Sequence, residues 1–218
     1  MNAPWLLDRR SWLACLTLPL LARCLPAGAA VLQDADAKDP FPLSECPVCG
    51  TPLEAKTIVV QGPIDIPVCS KDCADSARQN MGDLVRTIEK RIIEQQLPFY
   101  PLTTCVVDDT KLGEGVGFNH VFRNRLFRLC SEDCRIKLEA EPADYFELLN
   151  EAVIKKQKAT YPLTTCLVSD QPLGADAVDY VVANQLVRLA QESLKAKFNR
   201  QAGLYMEKLR EARQAAKK

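Results

Sequence analysis

The chain has 218 residues, 28 basic and 28 acidic side chains, one histidine and ten cysteines. Zero formal charge gives no electrostatic footprint for nucleic acid or an anionic membrane. One histidine excludes sites built on several His ligands or bases, and an aromatic content of 6% argues against a large aromatic-lined cofactor pocket.

In chain order, residues 1–29 read as a signal peptide. A charged region ends in Arg9-Arg10, a mostly apolar stretch runs from Trp12 to Ala22, and Ala27-Gly28-Ala29 offers a cleavage site. The apolar stretch is too short to span a bilayer, which needs about 20 residues. Arg9-Arg10-Ser11-Trp12-Leu13 fits the twin-arginine export motif, with a general secretory signal as the alternative. The twin-arginine route carries folded proteins, so a metal could be loaded before export. A lipoprotein anchor at Cys24 is disfavoured by Arg23, where a small residue belongs. Cleavage removes Cys15 and Cys24 and leaves 25 basic against 27 acidic side chains, with eight cysteines. Residues 30–40 form a polar linker.

The remainder repeats itself. Phe41–Cys46 (FPLSEC), Tyr100–Cys105 (YPLTTC) and Tyr161–Cys166 (YPLTTC) open three modules of about 60 residues, at 41–98, 99–158 and 159–218. Each module predicts a turn-rich opening, a β-hairpin and a helix, an α+β architecture. The hairpins are Phe118–Phe122 with Leu126–Leu129 in the second module, and Tyr180–Val182 with Leu186–Leu189 in the third. The first helix carries the stripe Met81, Leu84, Val85, Ile88, Ile92 and ends before Pro98 and Pro101. Glu141-Pro142 predicts a kink or break in the second helix. The third carries a looser stripe of Leu194, Phe198, Tyr205 and Leu209, interrupted by Gly203. Cores of this size are thin, and a metal or disulfides commonly staple them.

The cysteines are spaced for that job. In the first module Cys46-x2-Cys49-Gly50 predicts a knuckle, and Cys69-x3-Cys73 places two thiols on one face at a helix start. A helix N-terminus favours thiolates. Knuckle, hairpin and helix in this order is the treble-clef, zinc-ribbon-like way of gathering four thiolates around Zn²⁺. Two disulfides are the competing reading in an exported protein, and a thioredoxin-like Cys-Pro-Val-Cys motif is a third. The second module keeps Cys105, Cys130 and Cys134, with Asp108 at the position of Cys49. Three thiolates plus a carboxylate suit zinc, whereas three thiolates alone suit Cu⁺. His120 is a rival fourth ligand. The third module keeps only Cys166, with Ser169, Ala190 and Leu194 at the other positions, and cannot close a site.

The run CPVCGTPL followed by VCSKDC, and YPLTTCVVDDTKLG followed by LFRLCSEDC and Pro142–Tyr145, resembles the TRASH/YHS group of small treble-clef metal-binding modules. The resemblance implies cysteine coordination of a divalent or soft metal, with roles in metal sensing, trafficking or resistance. It assigns Cys46, Cys49, Cys69 and Cys73 in one module, and Cys105, Cys130 and Cys134 in the next.

The expected function is an exported, periplasmic or cell-envelope protein that is not an enzyme and holds zinc, or copper, on thiolates. A closed four-thiolate site leaves no open position for catalysis. No Gly-rich phosphate loop or nucleophile elbow is present. The alternative is a stapled scaffold that docks a protein partner through the helix of the third module. No nucleic acid and no membrane span are expected. Arg123, Arg125 and Arg128 read as a solvated hairpin edge, and Arg210–Lys218 as a solvated helix end.

Overall fold

The computed structural model describes residues 38–216 except 55–57, 63 and 114. The stretch read as a signal peptide, and most of that read as a linker, lie outside the described residues. An α+β chain is seen, with three two-stranded antiparallel hairpins and paired helices.

The same order of elements recurs three times. The first hairpin is β1 (Ile58–Val60) with β2 (Ile66–Val68), followed by α1 (Lys71–Gln79) and α2 (Met81–Gln96). The second is β3 (Phe118–Phe122) with β4 (Arg125–Leu129), followed by α3 (Glu132–Ala140) and α4 (Pro142–Gln157). The third is β5 (Val178–Val182) with β6 (Gln185–Leu189), followed by α5 (Leu194–Arg200) and α6 (Ala202–Ala215).

Two expectations need correction. The helix breaks in every repeat, at Asn80, Glu141 and Gln201, not only before Pro142. Pro142 makes the break obligatory in the second repeat, where it takes a first-turn position that needs no N–H. Each break redirects the chain, so the first short helix presents the cysteine positions while the second packs on the core. The hairpin turns are also tighter than expected. Phe122 pairs with Arg125 and Val182 with Gln185, which leaves two-residue turns. Both central residues of each turn have positive φ: Arg123 and Asn124 at 51° and 68°, Ala183 and Asn184 at 51° and 58°. That is the type I′ geometry whose twist matches the strands, and Asn is among the residues that tolerate it.

Each repeat has its own core. Val60, Ile66, Val68, Ile88 and Ile92 are buried in the first, Leu126, Phe127, Leu129, Leu138 and Leu149 in the second, and Val187, Leu189, Phe198 and Leu209 in the third. The cores are linked in series through repeated glutamines. Gln96, at the end of α2, accepts from the Leu126 amide at 2.8 Å and donates to the Asn124 carbonyl at 2.9 Å. Gln157, at the end of α4, accepts from the Leu186 amide at 3.0 Å and donates to the Asn184 carbonyl at 2.9 Å. Each long helix therefore satisfies the turn of the next hairpin.

The segment before the first repeat is structural. Asp39 and Arg125 are 6% and 2% exposed. Arg125 donates to both Asp39 oxygens, at 2.8 and 2.6 Å, and to the Val181 carbonyl at 3.0 Å. Its guanidinium lies 4.7 Å from the Phe146 ring centroid. The Ala183 amide donates to Asp39 at 2.8 Å. One ion pair thus ties residue 39 to the hairpins of two repeats. This corrects the readings of 38–40 as linker and of Arg125 as a solvated edge: the planar fork of arginine meets a carboxylate bidentately and is satisfied in burial.

The third repeat also closes onto the first. A Cβ on Gly203 would stand 2.3 Å from the Leu43 carbonyl oxygen, so α6 lies directly on that backbone. Gly→Ala inside a helix ordinarily stabilises by up to about 1 kcal/mol. Here Gly203→Ala is expected to do the opposite. Over-packing against rigid backbone should destabilise by about 3 kcal/mol, or roughly 6–12 °C in Tm, measured by thermal unfolding.

Candidate metal centres

The knuckle is built identically in all three repeats. The Cys46 amide donates to the Thr51 carbonyl at 2.7 Å, Cys105 to Thr110 at 2.8 Å, and Cys166 to Gln171 at 2.8 Å. The fifth residue of the turn donates back to the cysteine carbonyl and is left-handed: Gly50 at φ 76°, Asp109 at 59°, Asp170 at 58°. Glycine adopts this conformation freely, and Asp tolerates it better than most side chains.

The helix start supplies the other half. Ser70 caps α1 by accepting from the Cys73 amide at 3.2 Å, and Ser131 caps α3 by accepting from Cys134 at 3.3 Å. Such caps contribute about 1 kcal/mol each. They hold the second helical cysteine in the first turn with its sulfur facing the knuckle. In the third repeat Gln191 replaces the capping serine. Helix α5 then begins only at Leu194, with Glu192 and Ser193 in a turn. Ala190 and Leu194 pack against the apolar core where sulfurs would otherwise stand.

Two clusters result. In the first, Cys46, Cys49, Cys69 and Cys73 bring one sulfur each within 4.8 Å of the others. Cys49 and Cys69 are 3.3 Å apart and Cys69 and Cys73 3.7 Å. In the second, Cys105, Asp108, Cys130 and Cys134 gather within the same limit. Cys130 and Cys134 are 3.5 Å apart, and Asp108 Oδ2 lies 3.2 Å from Cys130 and 3.4 Å from Cys134. An ion about 2.3 Å from four sulfurs in a tetrahedron spaces them by roughly 3.8 Å. The observed separations are close to that edge and far above the roughly 2.05 Å of a disulfide. All eight cysteines of the described residues are free thiols.

The structure therefore brings together the cysteines and Asp108 expected from sequence, and it groups Asp108 rather than His120 with the second set of sulfurs. His120 Nε2 lies 3.0 Å from Glu139 and is not among the clustered donors. Asp108 completes the second set. Its carboxylate also accepts from the Thr110 amide at 3.1 Å, which fixes its orientation.

The electrostatics of the clusters fit a cation. The Thr51 hydroxyl and amide, with the Cys69 thiol, hold Cys49 down to about 6. The Ser70 hydroxyl lowers Cys73, but burial and the crowding thiols outweigh it and push Cys73 up to about 12. Burial, with the neighbouring thiols and Asp108, pushes Cys134 up to about 12, and burial raises Cys105. The Thr110 amide and the thiols of Cys130 and Cys105 hold Asp108 well below the usual carboxylate range. Each cluster thus accommodates one negative charge easily and resists the next. A dication reverses that balance by favouring deprotonation of every ligand. In each cluster the second knuckle residue, Cys49 or Asp108, is the exposed one.

Comparison of the chain with protein-family models, with curated proteins and with solved structures gave no match. Among the described residues no helix is long and apolar enough to cross a membrane. Among the described residues, two cysteine-rich clusters could hold a metal ion.

The Asp108 position sets the difference between the clusters. If the second cluster holds a metal, Asp108→Ala removes one of its four donors and should weaken binding there beyond the roughly 10–100-fold that outer-shell changes cost. Asp108→Cys restores the ligand set of the first cluster and should bind more tightly than the native residue. Competition with a chromophoric chelator measures both.

Proposed function

We propose that the protein is an exported, non-enzymatic metal-binding protein built from three treble-clef modules of the TRASH/YHS kind, two of which hold zinc. The observation that carries this reading is the pair of four-donor clusters, each assembled from a knuckle and a capped helix start and spaced near a tetrahedral edge. The donor sets favour zinc over copper. Zinc takes thiolate and carboxylate together, whereas Cu⁺ would leave the Asp108 carboxylate aside. When bound, the ion supplies a cross-link between knuckle and helix.

The first cluster serves stability: four thiolates around one ion leave no position for substrate. The second serves metal handling, because its weakest donor, Asp108, is also its exposed one. The third module is a structural end piece. Its helices expose only one large apolar side chain, Leu204, among the described residues, which gives little support to a docking role. Export is supported by the N-terminal sequence.

X-ray absorption at the zinc edge tests the reading. Two ions sharing seven sulfurs and one carboxylate should give a sulfur-dominated shell at about 2.3 Å with a minor oxygen contribution. A copper edge, or a shell dominated by nitrogen and oxygen, contradicts it.

A further inference from the structure

The two clusters differ most where they meet solvent. In both, the second knuckle residue is the exposed donor, a sulfur at Cys49 in the first and a carboxylate at Asp108 in the second. Cys46 is 0% exposed and Cys73 9%, and their counterparts Cys105 and Cys134 are 0% and 3% exposed. The first helical cysteines, Cys69 and Cys130, are half-buried. Solvent therefore meets an oxidisable sulfur first in one cluster. In the other it first meets a carboxylate, which peroxide leaves unchanged.

A cysteine that reacts with peroxide needs access, thiolate character and a second cysteine that resolves the product. Cys49 is placed for all three. It is exposed, and an ion held on the cluster keeps it a thiolate. Its sulfur lies 3.3 Å from that of Cys69, closer than Cys69 lies to Cys73 at 3.7 Å. The Thr51 hydroxyl, 3.2 Å away, can donate to an oxygen formed on the Cys49 sulfur. In the second cluster Asp108 stands against Cys130 instead, its two oxygens 3.5 and 3.2 Å from the sulfur. In the third repeat Ser169 holds the Cys49 position, and Cys166 is fully buried with no other cysteine in its repeat.

We propose that Cys49 is an oxidation site for hydrogen peroxide, whose reaction there empties the first cluster while the second keeps its ion. The proposal rests on the zinc reading of both clusters. The Cys49 thiolate attacks one peroxide oxygen, the O–O bond breaks, and hydroxide leaves a sulfenic acid behind. The Cys69 thiolate then attacks the Cys49 sulfur, the S–O bond breaks, and a second hydroxide departs. Two electrons pass from the pair of sulfurs to peroxide, and a Cys49–Cys69 disulfide remains. The ion loses two of its four donors and is released. The disulfide still joins knuckle to helix start, so the repeat keeps a staple.

Zinc release from the full chain tests this, followed with a chromophoric chelator before and after hydrogen peroxide is added to protein purified under reductant. One equivalent should leave roughly tenfold faster than the other or more, since reactivity follows exposure of the thiolate. Peptide mass mapping should find Cys49 joined to Cys69, and dithiothreitol should restore the lost zinc binding. Cys49→Asp gives the first cluster the donor set of the second, and both ions should then leave slowly. Asp108→Cys does the reverse, and both should leave fast; it carries the test if Cys49→Asp does not fold. Equal release of both ions from the native chain, an unchanged rate in Asp108→Cys, or a first disulfide without Cys49 overturns the proposal and leaves the zinc reading standing. A reduced chain that carries no zinc before peroxide overturns that reading, and the proposal with it.

Discussion

Cys69→Ser is expected to unfold the first repeat and spare the third. Its sulfur lies 3.3 Å from Cys49 and 3.7 Å from Cys73, at the centre of the first cluster, and serine oxygen is a poor replacement for a soft ligand. Structural zinc in small modules is worth about 10–16 kcal/mol of apparent binding free energy, which is folding free energy in a unit with a thin core. The first core buries Leu43, Val60, Ile66, Val68, Ala74, Ala77, Ile88 and Ile92 together with Cys46 and Cys73 themselves, and it buries no aromatic ring, so the cluster is part of what holds β1 and β2 against the helices. Hydrogen exchange should show lost protection at Ile88 and Ile92, partial loss at Leu126, whose amide is held by Gln96, and full protection at Leu209. Uniform loss through all three repeats, or no loss in the first, would sink the structural role of this cluster.

Arg125→Met carries the second large effect. It leaves the Asp39 carboxylate buried beside the Ala183 amide with no cation. Breaking a buried pair by removing one partner costs about 3–5 kcal/mol, here roughly 6–20 °C in Tm. The double variant Asp39→Leu with Arg125→Met should recover most of the loss, since apolar replacement of both partners is often near neutral. Thermal unfolding of the two single variants and the double closes the cycle. Additive losses would mean that the two side chains act separately, against the geometry of the bidentate contact.

The two donor clusters were legible in the sequence for a simple reason. A knuckle and a helix start impose short spacings, and repeated spacings show which residues are equivalent. Asp108 could be placed by its register with Cys49, and the structure brings it to the sulfurs. The series linkage between repeats was not legible, because it rests on contacts across long sequence distances. Asp39 sits in a run with the composition of a linker, yet its partner is 86 residues away. A signal existed at Gln96 and Gln157. They recur at the same interval as the cysteines, at helix ends where a solvent-facing glutamine has no reason to repeat. The helix break at Asn80 carried only weak signals, Asn80 itself and Gly82 just beyond it, inside an otherwise continuous apolar stripe.

Metal content with a free-thiol count on the same purified sample tests the central claim most directly. The account predicts two equivalents of zinc per chain, with the seven cluster thiols becoming reactive only after chelation and denaturation. Absence of metal, with the cysteines of the first cluster recovered as disulfides, would contradict it and leave a disulfide-stapled scaffold in its place.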